Sequence, residues 1–196
     1  MQKLINLDNN ITIMYGPAGS GKTTMAMISA IDYLRENKKV LYIDTEQTFS
    51  VDRFIQISQD KKLLDNFLLT RIGSFKEQQM NLNGLYKIKN NVSLIIMDTI
   101  GNHYRSLVKS KPDLANRMLY SQYKTLKDLS KTVPVLILNQ VYENPVTNEI
   151  KMVGGSVSSE FEDHLIELKK EPRQIIYKKE NKSRFFRIVT EGIHLV

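Results

Sequence analysis

Apolar runs alternate with longer amphipathic segments through most of this chain of 196 residues. Short runs that favour β-strands are followed by segments whose apolar residues recur at helical spacing, and this alternation predicts βαβ units with a parallel sheet. The predicted strands are Ile11–Tyr15, Val40–Ile43, Phe67–Ile72, Val92–Met97 and Pro134–Leu138. The predicted helices are Thr23–Arg35, Val51–Gln59, Phe75–Lys89 and Leu114–Ser130.

Two further features of the pattern refine the fold class. The runs VSLIIM and VLIL are apolar without a break, which is typical of central strands that are buried on both faces. After Phe161 the pattern changes to HLIELKK, RQIIYKK and RFFRIVT, three short runs that predict an antiparallel extension. We therefore expect an α/β fold, a mostly parallel central sheet flanked by helices with antiparallel C-terminal strands. The length suits a single domain over residues 1–196.

A glycine-rich turn lies between the first predicted strand and the first predicted helix. Its sequence, Gly16-Pro17-Ala18-Gly19-Ser20-Gly21-Lys22-Thr23, is a complete G-x-x-x-x-G-K-[ST] motif. Glycines let backbone N–H groups converge on phosphates, and the N-terminus of the following helix attracts negative charge. We expect Lys22 to reach the β- and γ-phosphates and the Thr23 hydroxyl to bind Mg²⁺. The motif, with Thr24 after it, predicts nucleotide binding; the alternative is a glycine-rich turn without a ligand.

Carboxylates follow two predicted strands whose ends meet at one edge of a parallel sheet. Asp98 closes VSLIIM, where it is expected to contact Mg²⁺ directly or through water; the alternative is a simple strand cap. Some P-loop enzymes place a catalytic base directly after this acid, but here that residue is Thr99. The free carboxylate is Glu46, which the parallel sheet places facing the γ-phosphate. Asp44 is interpreted as a strand-end group or as a group that supports the site residues without contacting the ligand.

The charge distribution favours a polyanionic partner. Lys and Arg number 28 against 21 acids, a net charge of +7. Residues 168–187 contain eight bases and two acids, and residues 105–131 contain seven bases and two acids. Clustered positive charge suits a nucleic acid, although lysines on solvated faces give the same composition. The absence of cysteine and of any apolar run long enough to span a bilayer leads us to expect a cytoplasmic protein without a membrane partner.

Four segments, taken in order, resemble one family. GPAGSGKTT, YIDTEQTFSVDRF, LIIMDTI and LILNQV have the order and spacing of the RecA/RadA recombinase superfamily, and are most similar to its short archaeal group, the DNA repair and recombination protein RadB. The resemblance extends from Ile11 to about Ile193. It implies ATP and Mg²⁺ as cofactors and Glu46 as the group that activates water. It also implies that Gln140 senses the γ-phosphate and that Arg53 packs against adenine, unless Arg53 is an ordinary exposed arginine.

The resemblance also implies a DNA-binding surface. Arg105, Lys111 and Arg117 are spaced six residues apart after Asp98, as in the first DNA-binding loop of these recombinases; the alternative is a solvated basic stretch. A second segment, residues 141–155, has the glycine, proline and asparagine content of a mobile loop. The pair Lys178-Lys179 resembles an element that reaches a neighbour's nucleotide in related ATPases, with solvated strand ends as the alternative.

The implied function is that of a recombinase paralogue. Such a protein binds ATP and DNA, single-stranded DNA foremost, hydrolyses ATP slowly in a DNA-dependent way, and assists the main recombinase or other repair proteins in homologous recombination. A homo-oligomer is compatible with this, and no N-terminal helical DNA-binding domain is expected. The alternative is a RecA-superfamily ATPase that acts on a protein partner without a DNA step, like the circadian clock ATPases. A nucleoside or nucleotide kinase is disfavoured because no arginine-bearing lid is evident.

Overall fold

The computed structural model of this protein describes residues 4–143 and 150–196. The strands of this part of the chain are β1 (Ile11–Gly16), β2 (Val40–Asp44), β3 (Phe67–Arg71), β4 (Leu94–Asp98), β5 (Val135–Glu143), β6 (Ile150–Met152), β7 (His164–Lys170), β8 (Arg173–Tyr177), β9 (Lys182–Val189) and β10 (Gly192–Leu195). The helices are α1 (Lys22–Arg35), α2 (Val51–Ser58), α3 (Phe75–Gly84), α4 (Tyr104–Leu107), α5 (Pro112–Ser130) and α6 (Gly155–Ser158).

One sheet organises these elements. Strands β3, β2, β4, β5, β1 and β7 lie side by side in that order and run parallel. Beyond β7, strands β8, β9 and β10 continue the sheet with antiparallel pairing, and β6 pairs antiparallel with β5. The predicted fold class is confirmed: the chain has a RecA-like α/β fold with a mostly parallel central sheet and antiparallel C-terminal strands.

The core lies on both faces of the sheet. Alternate side chains of the central strands, such as Tyr42 and Ile96, pack with α1 and α2 on one face. Their neighbours, such as Ile43 and Met97, pack with α3 and α5 on the other face. Because both faces are covered, most side chains along these strands are buried and apolar, and this explains the long apolar runs in the sequence.

The structure departs from the predicted elements in several places. Helix α3 ends at Gly84, a poor helix former, and two short 3₁₀ turns replace the rest of the predicted helix. Strand β5 continues past Leu138 and pairs with β6, so that part of the second predicted loop is strand; residues 144–149 of that loop lie outside the described residues. The first predicted strand of the C-terminal extension, β7, pairs parallel with β1 rather than antiparallel, and a turn at residues 190–191 adds a further antiparallel strand, β10. The basic segment after Asp98 contains a short helix, α4.

No helix in residues 4–143 and 150–196 is long and apolar enough to cross a membrane.

Candidate nucleotide-binding site

The carboxyl ends of the parallel strands bring the predicted nucleotide-binding residues together. Gly16 at the end of β1 is in register with Gln140 on β5, and Asp44 at the end of β2 is in register with Asp98 on β4. Above these positions lies a cavity of about 290 Å³. Its lining contains nine of the predicted residues, together with Thr99 and Ile188: Ala18, Gly19, Gly21, Lys22, Thr23, Thr24, Glu46, Asp98 and Gln140.

Two glycines of the loop are required by the geometry. A Cβ atom at Gly16 would lie 2.3 Å from the carbonyl oxygen of Leu168 on β7. Gly21, which precedes α1, has a φ of +104°, and a Cβ there would lie 3.0 Å from Ile188 on β9. The loop therefore passes close to the C-terminal strands, and this approach leaves a cradle that larger residues would fill.

This close approach makes a prediction about stability. Gly16→Ala is expected to lower the free energy of unfolding by about 1–3 kcal/mol, because the backbone of β7 has to move to accept the methyl group. The matched control is Gly84→Ala, where a Cβ meets no atom within 4 Å. At this helical position alanine is expected to raise the free energy of unfolding by about 0.5–1 kcal/mol. Urea unfolding of both variants measures the difference; equal stabilities would contradict the predicted contact.

Lys22 is buried within the loop that it follows. Its Nζ donates hydrogen bonds to the carbonyl oxygens of Gly16 and Pro17, each at 2.9 Å. Burial lowers the pKa of Lys22, and the nearby carboxylates of Asp98 and Glu46 oppose this shift. The ammonium group is therefore the cation that balances two acids at the same end of the sheet.

Asp98 accepts two hydrogen bonds on one oxygen. The hydroxyls of Thr23 and Tyr42 donate to Oδ2 at 2.9 Å and 2.5 Å respectively. The pKa of Asp98 is raised to about 6, chiefly by burial and further by the charges of Glu46 and Asp44, while the two hydrogen bonds oppose the rise. Burial likewise raises the pKa of Tyr42, so that its phenol keeps the proton that it donates. The carboxyl group is thus held in one orientation, and it is stabilised as a carboxylate by any cation that approaches.

The donor set here suits Mg²⁺. Thr23 and Asp98 supply a hydroxyl and a carboxylate, and hard divalent cations prefer oxygen ligands. Within the described residues no group of three or more His, Cys, Asp or Glu side chains forms an all-protein metal site. Mg²⁺ in nucleotide sites keeps several waters and takes only one or two protein ligands beside the phosphates. The residues therefore fit a magnesium–nucleotide complex better than a free metal ion.

Glu46 is held from one side by two donors. The hydroxyl of Thr99, which follows Asp98 through a cis peptide bond, donates to Oε1 at 2.9 Å, and Nε2 of Gln140 donates to the same oxygen at 2.6 Å. In the part of the chain that the structure describes, no donor reaches Oε2. Asp44 supports the turn that carries Glu46, because its carboxylate accepts the N–H of Phe49 at 2.9 Å. Asp44 thus has the strand-end position that the sequence predicts.

A hydrogen-bond chain extends from Glu46 into the predicted DNA-binding segment. Oε1 of Gln140 accepts a hydrogen bond from Nη1 of Arg105 at 2.7 Å. Arg105 lies on α4 with its side chain exposed. Lys111 directly precedes α5 and Arg117 lies on its second turn, and both are exposed. One of the three predicted DNA-binding residues is therefore in contact with the nucleotide site, and the other two are exposed in the first part of α5 and just before it.

Two other predicted residues have different neighbours. The guanidinium of Arg53 donates to the carbonyl oxygens of Val189 and Thr190, at 2.8 Å and 2.7 Å. This contact holds α2 against the turn after β9, and the prediction that Arg53 faces adenine stays a prediction. Lys178 pairs with Glu167 at 3.2 Å, and its N–H donates to Leu165 near the amino end of β7. The P-loop lies at the opposite end of the sheet, so Lys178 does not reach the nucleotide site of its own chain.

Comparisons with known proteins agree with this geometry. A family model described as Rad51 matches residues 7–191. The chain is 36% identical over 201 residues to the DNA repair and recombination protein RadB of Methanocaldococcus jannaschii, covering 95% of this chain and 93% of that protein. It is 32% identical to the protein of the same name from Methanococcus maripaludis, with coverages of 95% and 91%. The chain belongs to the Rad51 family.

A solved structure supports the same assignment. The crystal structure of the RadB recombinase matches this Rad51-family chain with a TM-score of 0.79 and 28% sequence identity, over 97% of this chain and 92% of that one. The resemblance inferred from the four sequence motifs is therefore confirmed.

Several contacts in this Rad51-family site have no counterpart in the sequence predictions. The Thr45 hydroxyl accepts the N–H of Thr99 at 3.0 Å and donates to its carbonyl oxygen at 2.7 Å, which ties the end of β2 to the end of β4. Arg173 donates to the carbonyl oxygen of Gly19 at 2.8 Å. For Tyr42 and Ile188 the sequence predicts a position in a strand and no role in the site. Thr45 directly follows Asp44 and Thr99 directly follows Asp98, and these positions are a sequence signal that could have identified both threonines. Arg173 is one of many bases in its segment, so nothing in the sequence distinguishes it.

Proposed function

We propose that this Rad51-family protein is an ATP hydrolase whose turnover is coupled to DNA and which assists homologous recombination. The observation that carries the proposal is the hydrogen-bond chain from Glu46 through Gln140 to Arg105. It joins a carboxylate of the nucleotide site to an exposed arginine of the basic segment. The proposed site of hydrolysis and the proposed DNA-binding segment are therefore linked by direct hydrogen bonds.

ATP binding is assigned to the P-loop. Residues 16–24 would hold the phosphates with backbone N–H groups, and Lys22 would contact the β- and γ-phosphates. Thr23 and Asp98 would hold Mg²⁺, which when bound neutralises charge on those phosphates. The cavity volume and the oxygen ligands support this assignment. Arg53, from the edge of α2, is proposed to contact the base.

Hydrolysis is assigned to Glu46. Thr99 and Gln140 fix Oε1, and Oε2 is then the oxygen that accepts a proton from the attacking water. The water oxygen forms a bond to the γ-phosphorus while the bond to the β-phosphate oxygen breaks, and ADP and phosphate leave. Gln140 is proposed to respond to the γ-phosphate because its amide lies between Glu46 and Arg105.

DNA binding is assigned to Arg105, Lys111 and Arg117. All three are exposed and positively charged, which suits contacts with a phosphate backbone. The curated relatives are named DNA repair and recombination proteins, and this supports DNA and a recombinase as partners. We further propose single-stranded DNA as the preferred form, slow turnover, and a single RecA-like ATPase domain over residues 1–196.

The decisive experiment measures the ATPase rate with and without single-stranded DNA across a salt series. We expect DNA to raise the rate at low salt and the effect to fall as salt is added, because counterions compete for the phosphate contacts. If no DNA binding occurs even at low salt, the protein instead resembles ATPases that act on a protein partner. If ATP is not hydrolysed under any condition, the assignment of Glu46 is wrong.

Substitutions in the basic segment separate binding from coupling. Removing all three bases with alanine is expected to reduce the slope of log affinity against log salt by about 2, at roughly 0.7 per contact on single strands. Arg105→Ala alone should also change the ATPase rate without DNA, because Gln140 loses its donor. Lys111→Ala should not change that rate. Lys62→Ala, an exposed base before β3 at the opposite end of the sheet, serves as the control and should leave the salt slope unchanged.

A further inference from the structure

The side chain of Tyr42, in the middle of β2, is buried beside the proposed metal site. It is 0% exposed, and its ring lies 5.0 Å from that of Phe49 and 5.7 Å from that of Phe67. Packing alone would be satisfied by phenylalanine. A buried phenol instead requires a hydrogen-bond acceptor, and the acceptor used here is Oδ2 of Asp98, on the neighbouring strand.

The hydrogen bond from Tyr42 makes the two carboxylate oxygens of Asp98 unequal. Tyr42 and Thr23 both donate to Oδ2, at 2.5 Å and 2.9 Å. No donor from the described residues reaches Oδ1. The carboxylate cannot rotate without breaking both hydrogen bonds, and the aromatic neighbours restrict the ring that holds it. Asp98 is therefore fixed with Oδ1 left for an outside partner.

We propose that Tyr42 is a positioning residue for Mg²⁺, acting through Asp98 to keep one carboxylate oxygen ready for the cation or its bound water. This rests on the proposed function, because Mg²⁺ is assigned to Thr23 and Asp98 there. Groups that hydrogen-bond to metal ligands orient them, and their removal typically costs about 10–100-fold in metal affinity or activity. Tyr42 adds a hydroxyl from β2 to a metal site whose predicted residues, Thr23 and Asp98, lie on α1 and β4.

The test compares Tyr42→Phe with Tyr33→Phe in the full chain. Both variants remove a tyrosine hydroxyl, but that of Tyr33 donates to the carbonyl oxygen of Leu7, which precedes the amino end of β1, whereas the P-loop follows its carboxyl end. Binding of a non-hydrolysable ATP analogue is measured in the presence of a chelator and then during a Mg²⁺ titration. For Tyr42→Phe we expect the half-maximal Mg²⁺ concentration to rise about 10-fold, with affinity in chelator unchanged. For Tyr33→Phe we expect neither quantity to change.

Thermal unfolding of the same samples separates positioning from packing. If Tyr42→Phe lowers the melting temperature but leaves the Mg²⁺ curve unchanged, the hydroxyl serves folding only and the proposal is overturned. Phe49→Leu loosens the packing of the Tyr42 ring while keeping its hydroxyl, and a smaller rise in the Mg²⁺ requirement is expected. If Tyr42→Phe does not fold, Phe49→Leu replaces it in the test. An unchanged Mg²⁺ titration curve for Phe49→Leu then overturns the proposal. If the wild type binds the analogue without any response to Mg²⁺, the assigned metal site fails instead.

Discussion

Replacing Glu46 with glutamine is expected to reduce ATP turnover about 10²–10⁴-fold, the usual loss when a catalytic base is removed. Glutamine keeps the length of the side chain and an oxygen that accepts from Thr99 and Gln140. It cannot take a proton from water, because its second terminal atom is an amide nitrogen. Nucleotide affinity should remain within about twofold of the wild type, since the proposed phosphate contacts come from the P-loop. Turnover is measured by phosphate release and affinity by calorimetry.

The control for this prediction is Glu180→Gln. Glu180 is exposed and pairs with Lys182 at 3.4 Å between β8 and β9, so its loss should leave both turnover and affinity unchanged. A Glu46→Gln variant with wild-type turnover would exclude Glu46 as the base. A variant that loses nucleotide affinity in proportion to its turnover would indicate a binding role instead.

The pattern of the sequence predicts the fold where local signals are strong. The central strands are buried on both faces and read as unbroken apolar runs, and the helices between them have a clear spacing. The errors lie where pairing is decided by distant residues. Strand β5 continues to Glu143 only because β6 pairs with it, and residues 141–143 carry no apolar run that predicts this. The end of α3 depends on Gly84, whose effect on helix length a periodicity argument does not resolve.

The site is predictable to the extent that it is local in sequence. The P-loop is one contiguous motif, and the two acids follow strands that its topology places nearby. The contacts of Gln140 join three segments that meet only in the folded chain, so its link to Arg105 has no sequence signature. Tyr42 was missed for a different reason: within an apolar run an aromatic residue predicts core packing, and nothing local reveals where its hydroxyl points.

The position of the basic residues limits what charge alone can say. The two basic stretches look equivalent by composition, yet the bases of one stretch, residues 168–187, lie at different ends of the sheet. Arg173 contacts the P-loop through Gly19, whereas Lys178 lies near the amino end of β7. Arg105 contacts Gln140, and Lys111 and Arg117 are exposed to solvent. A salt-dependence measurement on single substitutions is therefore more informative than the net charge of a stretch.

Replacing Lys22 with alanine is expected to reduce affinity for a non-hydrolysable ATP analogue by about 10²–10⁴-fold. Two charge-assisted hydrogen bonds to phosphate, each contributing about 1.5–3 kcal/mol, correspond to that loss. The charges around Lys22 increase the expected loss of affinity. Lys22 is the buried cation beside Asp98 and Glu46, and without it those carboxylates face an incoming polyphosphate with less compensation. The measurement is a titration by fluorescence anisotropy with a labelled analogue.

Comparing the affinity for ADP with that for the triphosphate analogue tests whether Lys22 contacts the γ-phosphate. If Lys22 contacts both the β- and the γ-phosphate, its loss should weaken ADP less than the triphosphate analogue, because ADP offers only one of the two contacts. Lys62→Ala, which removes an exposed lysine at the other end of the sheet, should affect neither ligand. Equal losses for ADP and the analogue would confine Lys22 to the β-phosphate. Wild-type affinity for both ligands would remove Lys22 from the binding site, and with it the P-loop assignment on which the roles of Glu46 and Gln140 depend.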